Sequence, residues 1–201
     1  MPDGPPEFPR SCNIKRHDGF FRSRLLTPVS GGAHDAGVTK NPRKLYIETS
    51  FWKRLADPSM DWRRRASYRF LRTIRRHHQL FVSHIVRREL DQNPDVEERK
   101  SLRRRIQSAR PGFLTPPANL EETVWSLLAA GTWGLRKFQE MQHLAFAILT
   151  DVDALVSWDV KDLARRETRR VLSRWCQNKG VSSPYVGTPV EVARWLGFEI
   201  G

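Results

Sequence analysis

The chain alternates short apolar runs with longer stretches of helical period, and that alternation confines it to one class of fold. The runs are Leu45-Tyr46-Ile47, Leu80-Phe81-Val82, Phe113-Leu114, Ala154-Leu155-Val156 and Tyr185-Val186. Each is too short for a helix and reads as a buried strand. The strands are predicted at 44–48, 80–83, 113–115, 154–158 and 185–187. Helical segments are predicted at about 50–56, 60–78, 84–92, 95–109, 119–130, 135–150, 160–179 and 189–196. Strands separated by helices imply a parallel sheet covered on both faces. There are no internal repeats, and no P-loop, GxGxxG, GxSxG or HExxH pattern.

Two of the runs lead into an acid. Leu45-Tyr46-Ile47 is followed by Glu48, then by the hydroxyls of Thr49 and Ser50, and Asp159 closes the run through Trp158. In open parallel sheets the carboxyl edge is where ligands bind, and an acid there is costly to bury unless something binds it. Glu89, on the helix after the second strand, and Glu140, early in the helix FQEMQHLAFAIL, fall near the same edge. Four carboxylates in one cleft would repel one another. A hard divalent cation such as Mg²⁺ or Mn²⁺ relieves that repulsion through oxygen ligands, activates water and stabilises a phosphodiester under attack. The ordinary alternatives are specific. Asp159 can simply cap the helix predicted at 160–179, and His143, Met141, Phe146 and Trp158 read as packing. Glu97, Glu98, Glu121 and Glu122 suit helix starts, and Asp151 and Asp153 read as loop.

Charge adds a second constraint. Lys and Arg number 35 against 22 Asp and Glu, for a net charge of +13. Arginines cluster at 63–76, 103–105 and 165–174. Such a surface attracts polyanions, and the arginine fork suits phosphate, although solvated helix faces also carry arginine. The two cysteines, Cys12 and Cys176, are far apart and form no disulfide framework or metal motif, as expected of free thiols in a reducing cytoplasm. No apolar run is long enough to span a bilayer. Residues 1–41, broken by proline and glycine, read as a disordered basic tail or a mis-assigned start, with 42–201 as the folded domain. No Met lies between Met1 and Met60, so a start near Val38 is the alternative.

With these residues in place, the chain resembles a known family. KLYIETSFWKRL is similar to the opening motif of PIN-domain ribonucleases, in the branch of VapC-like toxins that carries Glu where most carry Asp. FVSHIVRREL, FQEMQHLAFAI and LVSWDVKDLAR resemble the second, third and fourth motifs, and SSPYVGTPVEV resembles the last strand and helix. The resemblance covers about 44–196, and the order and spacing of the motifs carry it.

It implies a three-layer α/β/α domain with a central parallel sheet that cuts RNA with Mg²⁺ or Mn²⁺. It also implies a cognate antitoxin protein and frequent homodimers. By position, Glu48, Glu140 and Asp159 are the implied metal ligands and Glu89 completes the acidic catalytic set. Thr49 or Ser50 is implied to hydrogen-bond ligand, water or phosphate, and Arg87 and Arg88 are candidates either to bind phosphate or simply to pair with acids. Glu140 departs from the usual Asp, and a carboxylate displaced by about 1 Å can cost on the order of 100-fold in rate. Two further readings are a non-catalytic RNA-binding module with a degraded acidic site, and a nuclease acting on DNA.

Overall fold

The structure, a computed structural model, describes residues 41–200 apart from Met60, so nearly all of the expected tail lies outside the described residues. Five strands form one parallel sheet: β1 (Lys44–Ile47), β2 (Gln79–Ser83), β3 (Gly112–Leu114), β4 (Ala154–Val156) and β5 (Tyr185–Gly187). Their order is β3-β2-β1-β4-β5 and every pairing is parallel. The predicted α/β class and parallel sheet are therefore those of the structure. Leu45, Tyr46 and Ile47 are fully buried, as a central strand covered on both faces requires.

The connections carry α1 (Thr49–Ala56), α2 (Trp62–Ile74), α3 (His84–Asp91), α4 (Val96–Ala109), α5 (Leu120–Ala130), α6 (Phe138–Leu149), α7 (Arg166–Lys179) and α8 (Pro189–Trp195). Helices α1, α2, α4 and α8 pack through one another, and α5, α6 and α7 form a second group. These are the two helical layers that flank the sheet. The chain winds outward from β1 through β2 to β3, then crosses back to β4 and β5. The order thus reverses between β1 and β4, the position where open α/β sheets open a crevice at their carboxyl edge.

Four of the five strands hand over to a polar residue that the edge fixes in place. Glu48 follows β1 and caps α1, Ser83 ends β2 and caps α3, Ser157 follows β4, and Thr188 follows β5 and caps α8. The ladder runs past the strands, because Glu48 N donates to the Val156 carbonyl at 3.1 Å and Ser157 N to the Gly187 carbonyl at 3.0 Å. The edge residues are thereby held by the sheet itself.

Among the boundaries that differ from the sequence reading, three stand out. The helix predicted at 160–179 begins only at Arg166, and 160–163 form a turn. The helix predicted at 60–78 is α2, ending at Ile74, with its cap at Asp61. The strand predicted at 154–158 stops at Val156. In the first case the Asp159 side chain accepts from the backbone of Lys161 and Asp162, so it caps a tight turn and not α7.

Helix α8 is closed by a complete capping box: Thr188 Oγ1 accepts from Glu191 N at 3.2 Å, and Thr188 N donates to Glu191 at 2.8 Å. Burial alone raises the Glu191 carboxyl, but its bonds from Arg169 and Thr188 outweigh that and hold it below its ordinary value of 4.5. A lowered carboxyl contributes stability that is present above its unfolded pKa and lost as pH falls through the folded value. Thr188→Ala is expected to cost about 1 kcal/mol in urea unfolding at neutral pH. The Glu191→Ala penalty is expected to shrink as pH falls below 4.5, and a penalty unchanged at low pH would refute the assignment.

Candidate acidic site at the carboxyl edge of the sheet

A cleft of about 580 Å³ opens at the switch point, and Glu48, Glu89, Glu140 and Asp159 all line it. So do Thr49, Ser50, Lys53, Glu98 and His143. Within the cleft the acids fall into two groups of different character. Ligand atoms of Glu48, Glu89 and His143 lie within 4.8 Å of one another, and so do those of Glu140, Asp159 and Asp162.

The first group is internally satisfied. Glu48, buried at the end of β1, accepts from Ser50 N at 2.9 Å, from Ser157 Oγ at 2.9 Å and from Ser50 Oγ. Glu89 accepts from Thr49 Oγ1 and meets His143 Nε2 at 3.1 Å. The other nitrogen of His143, Nδ1, lies 2.8 Å from the Tyr46 hydroxyl, which lies 2.6 Å from Ser83 Oγ. A buried chain of polar side chains thus ties β1, β2, α3 and α6 together.

Electrostatics follow from that chain. Burial favours neutral imidazole in His143, but the bond to Glu89 and the charges of Glu48, Glu89 and Glu140 prevail and raise it. Burial likewise acts to raise Glu89, yet His143, with Thr49 and Lys53, holds it below the ordinary carboxylate value. The buried Tyr46 phenol is pushed well above its usual value, chiefly by desolvation, and stays protonated. A protonated His143 donates from Nδ1 to Tyr46, whose hydroxyl then donates to Ser83.

The second group is different. Glu140 Oε2 is buried and has no hydrogen-bond partner among the described residues. Burial raises the Glu140 carboxyl above its ordinary value, and Asp162 and Asp159 add repulsion. Asp162 is bonded by Lys137 Nζ, the one ammonium in ion-pair contact with this trio among the described residues. An unpartnered buried carboxylate oxygen beside two more carboxylates suits a hard cation, which takes oxygen ligands.

Several placements differ from what sequence could assign. Glu48 does not fall within the group formed by Glu140 and Asp159, whereas Asp162 does. The signal for Asp162 was present in the spacing Asp159-x-x-Asp162, which a tight turn folds onto one side. Ser157 also went unassigned, although it immediately follows the β4 run. His143 packs as expected, but as a hydrogen-bonded partner of Glu89 that lies 4.0 Å from Glu48, and not as an apolar filler. Glu98, read as a helix-start acid, lines the cleft. Arg87 and Arg88 lie outside it: Arg87 lines a neighbouring hollow with Asp91, Arg103 and Phe113, and Arg88 donates to Gln142 at 2.7 Å. The hydroxyls of Thr49 and Ser50 are engaged by Glu89 and Glu48. Trp158 is buried, with Nε1 donating to Ser67 at 2.8 Å.

No family model matches the chain, and no curated protein does. Among solved structures, the chain is similar to one in the crystal structure of VapBC2 from Rickettsia felis bound to a DNA fragment from their promoter. That likeness has a TM-score of 0.49 at 14% identity, over 72% of this chain and 98% of the other. No helix among the described residues is long and apolar enough to cross a membrane.

Proposed function

We propose that the protein is a metal-dependent endoribonuclease of PIN type, acting as the toxin of a toxin–antitoxin pair in the cytoplasm. The observation that carries the nuclease reading is the unpartnered, buried Glu140 Oε2 set beside Asp159 and Asp162 in a cleft shared with Glu48 and Glu89. The proposed metal ligands are Glu48, Glu140 and Asp159, with Asp162 as a further acid at the same place. A bound Mg²⁺ or Mn²⁺ would supply an activated water and neutralise charge on the phosphodiester. Glu89, braced by His143 and Thr49, keeps a carboxylate beside the reacting group and completes the acidic set. Ser50 and Ser157 fix Glu48, so its carboxylate needs little reorganisation when substrate arrives. Arg87 and Arg88 are proposed to meet phosphates beyond the rim. The toxin role rests on the motif resemblance: the expected partner is a small antitoxin covering the cleft, and self-association into a homodimer belongs to the same reading.

A second reading, an RNA-binding module that no longer cleaves, is favoured by one observation. The group around Glu48 and Glu89 is satisfied by hydroxyls and His143 without a cation. Two measurements separate the readings. Purified protein is expected to cut labelled single-stranded RNA with millimolar Mg²⁺ or Mn²⁺ and to stop on chelation. Thermal melts are expected to rise with either metal, because relieving the Glu140–Asp159–Asp162 repulsion favours the folded state. Saturation at one hundred times Kd is worth about 2.7 kcal/mol, or roughly 5–10 °C for a domain of this size. Melts unmoved by both metals, with no cleavage, would leave the binding module.

A further inference from the structure

The acidic cleft does not end at Asp159. Ser50, Lys53, Glu98 and Asp159 are shared with a second groove of about 420 Å³, whose far wall carries Arg63 and Trp158. Trp62 stands against both of those residues. Its ring meets that of Trp158 edge to face at 5.3 Å, and the Arg63 guanidinium lies 5.6 Å from the Trp62 ring centre and 5.8 Å from that of Trp158.

This wall is built rigidly yet left open. Trp158 is fixed by its bond to Ser67 and Trp62 packs on it edge to face, yet Trp62 remains 56% exposed. The cations of the wall divide in the same way. Arg54 is held by Asp57 and Asp61 at 2.8 and 3.2 Å. Among the described residues, no carboxylate is in ion-pair contact with Lys53 or Arg63. A single exposed aromatic is ordinary on a protein surface. An exposed indole backed by a second indole, with Arg63 against both rings and Lys53 in the adjoining acidic cleft, matches the chemistry of a nucleotide. Aromatic faces stack bases, and lysine and arginine take phosphates.

We propose that Trp62, Arg63 and Lys53 form a subsite for one unpaired nucleotide next to the bond held in the acidic cleft, with the base on Trp62 and its phosphate on Arg63 and Lys53. This rests on reading the cleft as a site of phosphodiester chemistry, and it adds the residues that would hold the neighbouring nucleotide, whose base must be unpaired to offer a free face. It also accounts for how a polyanion approaches a cluster of acids, because Lys53 lines the acidic cleft itself and Arg63 the groove that adjoins it.

The test is binding by the whole chain in chelator, so that cleavage plays no part. The ligands are a labelled single-stranded RNA, the duplex of the same sequence and the matched single-stranded DNA. Trp62→Ala is expected to weaken single-stranded RNA by about 5- to 150-fold, the range one base–aromatic stack supplies. Trp62→Phe, which keeps a ring, is expected to recover most of that loss, and the duplex is expected to bind both variants as it binds wild type. Arg63→Gln is expected to lower the salt slope by roughly 0.7 on single strands. An equal loss on DNA would assign the subsite to base and phosphate alone, and a loss on RNA only would add the ribose hydroxyl to it. Wild-type affinity of Trp62→Ala for the single strand, or an equal loss on the duplex, would overturn the proposal. Cleavage is scored separately. A wild-type enzyme that cuts RNA while Trp62→Ala binds normally removes the subsite alone, and a Trp62 effect without any cleavage removes the nuclease reading alone.

Discussion

Asp159→Asn is expected to lower metal-dependent RNA cleavage by at least about 100-fold while leaving RNA affinity unchanged or raised. The lower bound comes from metal sites in which removal of a residue that merely orients a ligand already costs 10- to 100-fold. The substitution is mild for the fold. Asp159 Oδ1 accepts from Lys161 N and Asp162 N, and an asparagine carbonyl oxygen can accept both. What disappears is one negative charge beside Glu140 and Asp162, and with it part of the repulsion that a cation relieves. The metal-induced rise in melting temperature should therefore shrink together with the rate.

Glu48→Gln should act in the same direction with a larger structural cost. The Ser50 and Ser157 hydroxyls both donate to its Oε2, and an amide nitrogen placed there forces them to turn. Affinity is the discriminating readout. Measured in chelator, removing a carboxylate from this cleft takes negative charge away from the proposed RNA path and is not expected to weaken binding, so a variant that binds but does not cut isolates catalysis. Cleavage by pure Asp159→Asn protein at the wild-type rate would point to a contaminating nuclease and leave the binding-module reading.

The parts of this site that follow from local pattern are legible in the sequence. An apolar run must be a strand when it is too short for a helix, and the residue after it then lies at the carboxyl edge. That is why Glu48 could be assigned to the edge from Leu45-Tyr46-Ile47, and Asp159 from the run read as far as Trp158, although β4 stops at Val156 and Ser157 is the residue that follows it. Glu89 and Glu140 needed one further step, since their helices have to start at that edge. The division of the acids into two groups was not legible. It depends on where Ser157 and His143 send their hydrogen bonds, and sequence spacing does not encode side-chain direction.

The misread helix at 160–179 has a physical cause as well. The polar run after Asp159 has nothing in its composition to stop a helix, whereas in the structure Asp159 captures two backbone amides and turns the chain before α7 can begin. That same turn brings Asp162 beside Glu140 and Asp159. The residue with the most specific backbone role was therefore also the one that hid a member of the site.

Trp52→Ala is expected to be the most destabilising single change near the site, at about 3–5 kcal/mol. Trp52 is fully buried on α1 beneath the end of β1, edge to face with Phe51 at 5.4 Å, and Phe51 in turn meets Phe70 of α2 at 5.7 Å. Its Nε1 donates to the Ile47 carbonyl at 3.3 Å, one residue before Glu48. Truncation leaves a cavity between β1 and α1 and removes the donor that holds the strand end, a large share of the roughly 5–15 kcal/mol that stabilises a domain of this kind. Urea unfolding should show a lower midpoint at unchanged slope. Trp52→Phe keeps most of the buried ring and loses the N–H bond, so it should cost clearly less, near the 1–3 kcal/mol of an unsatisfied buried acceptor. The consequence for function is separable from stability at low temperature, where the variant is still folded. Glu48 takes its position from Ile47 on one side and from the first turn of α1 on the other, so loosening Trp52 should reduce the metal-dependent gain in stability before it unfolds the chain. A folded Trp52→Ala protein that keeps the whole of that gain would show that the bonds from Ser50 and Ser157 alone place the Glu48 carboxylate.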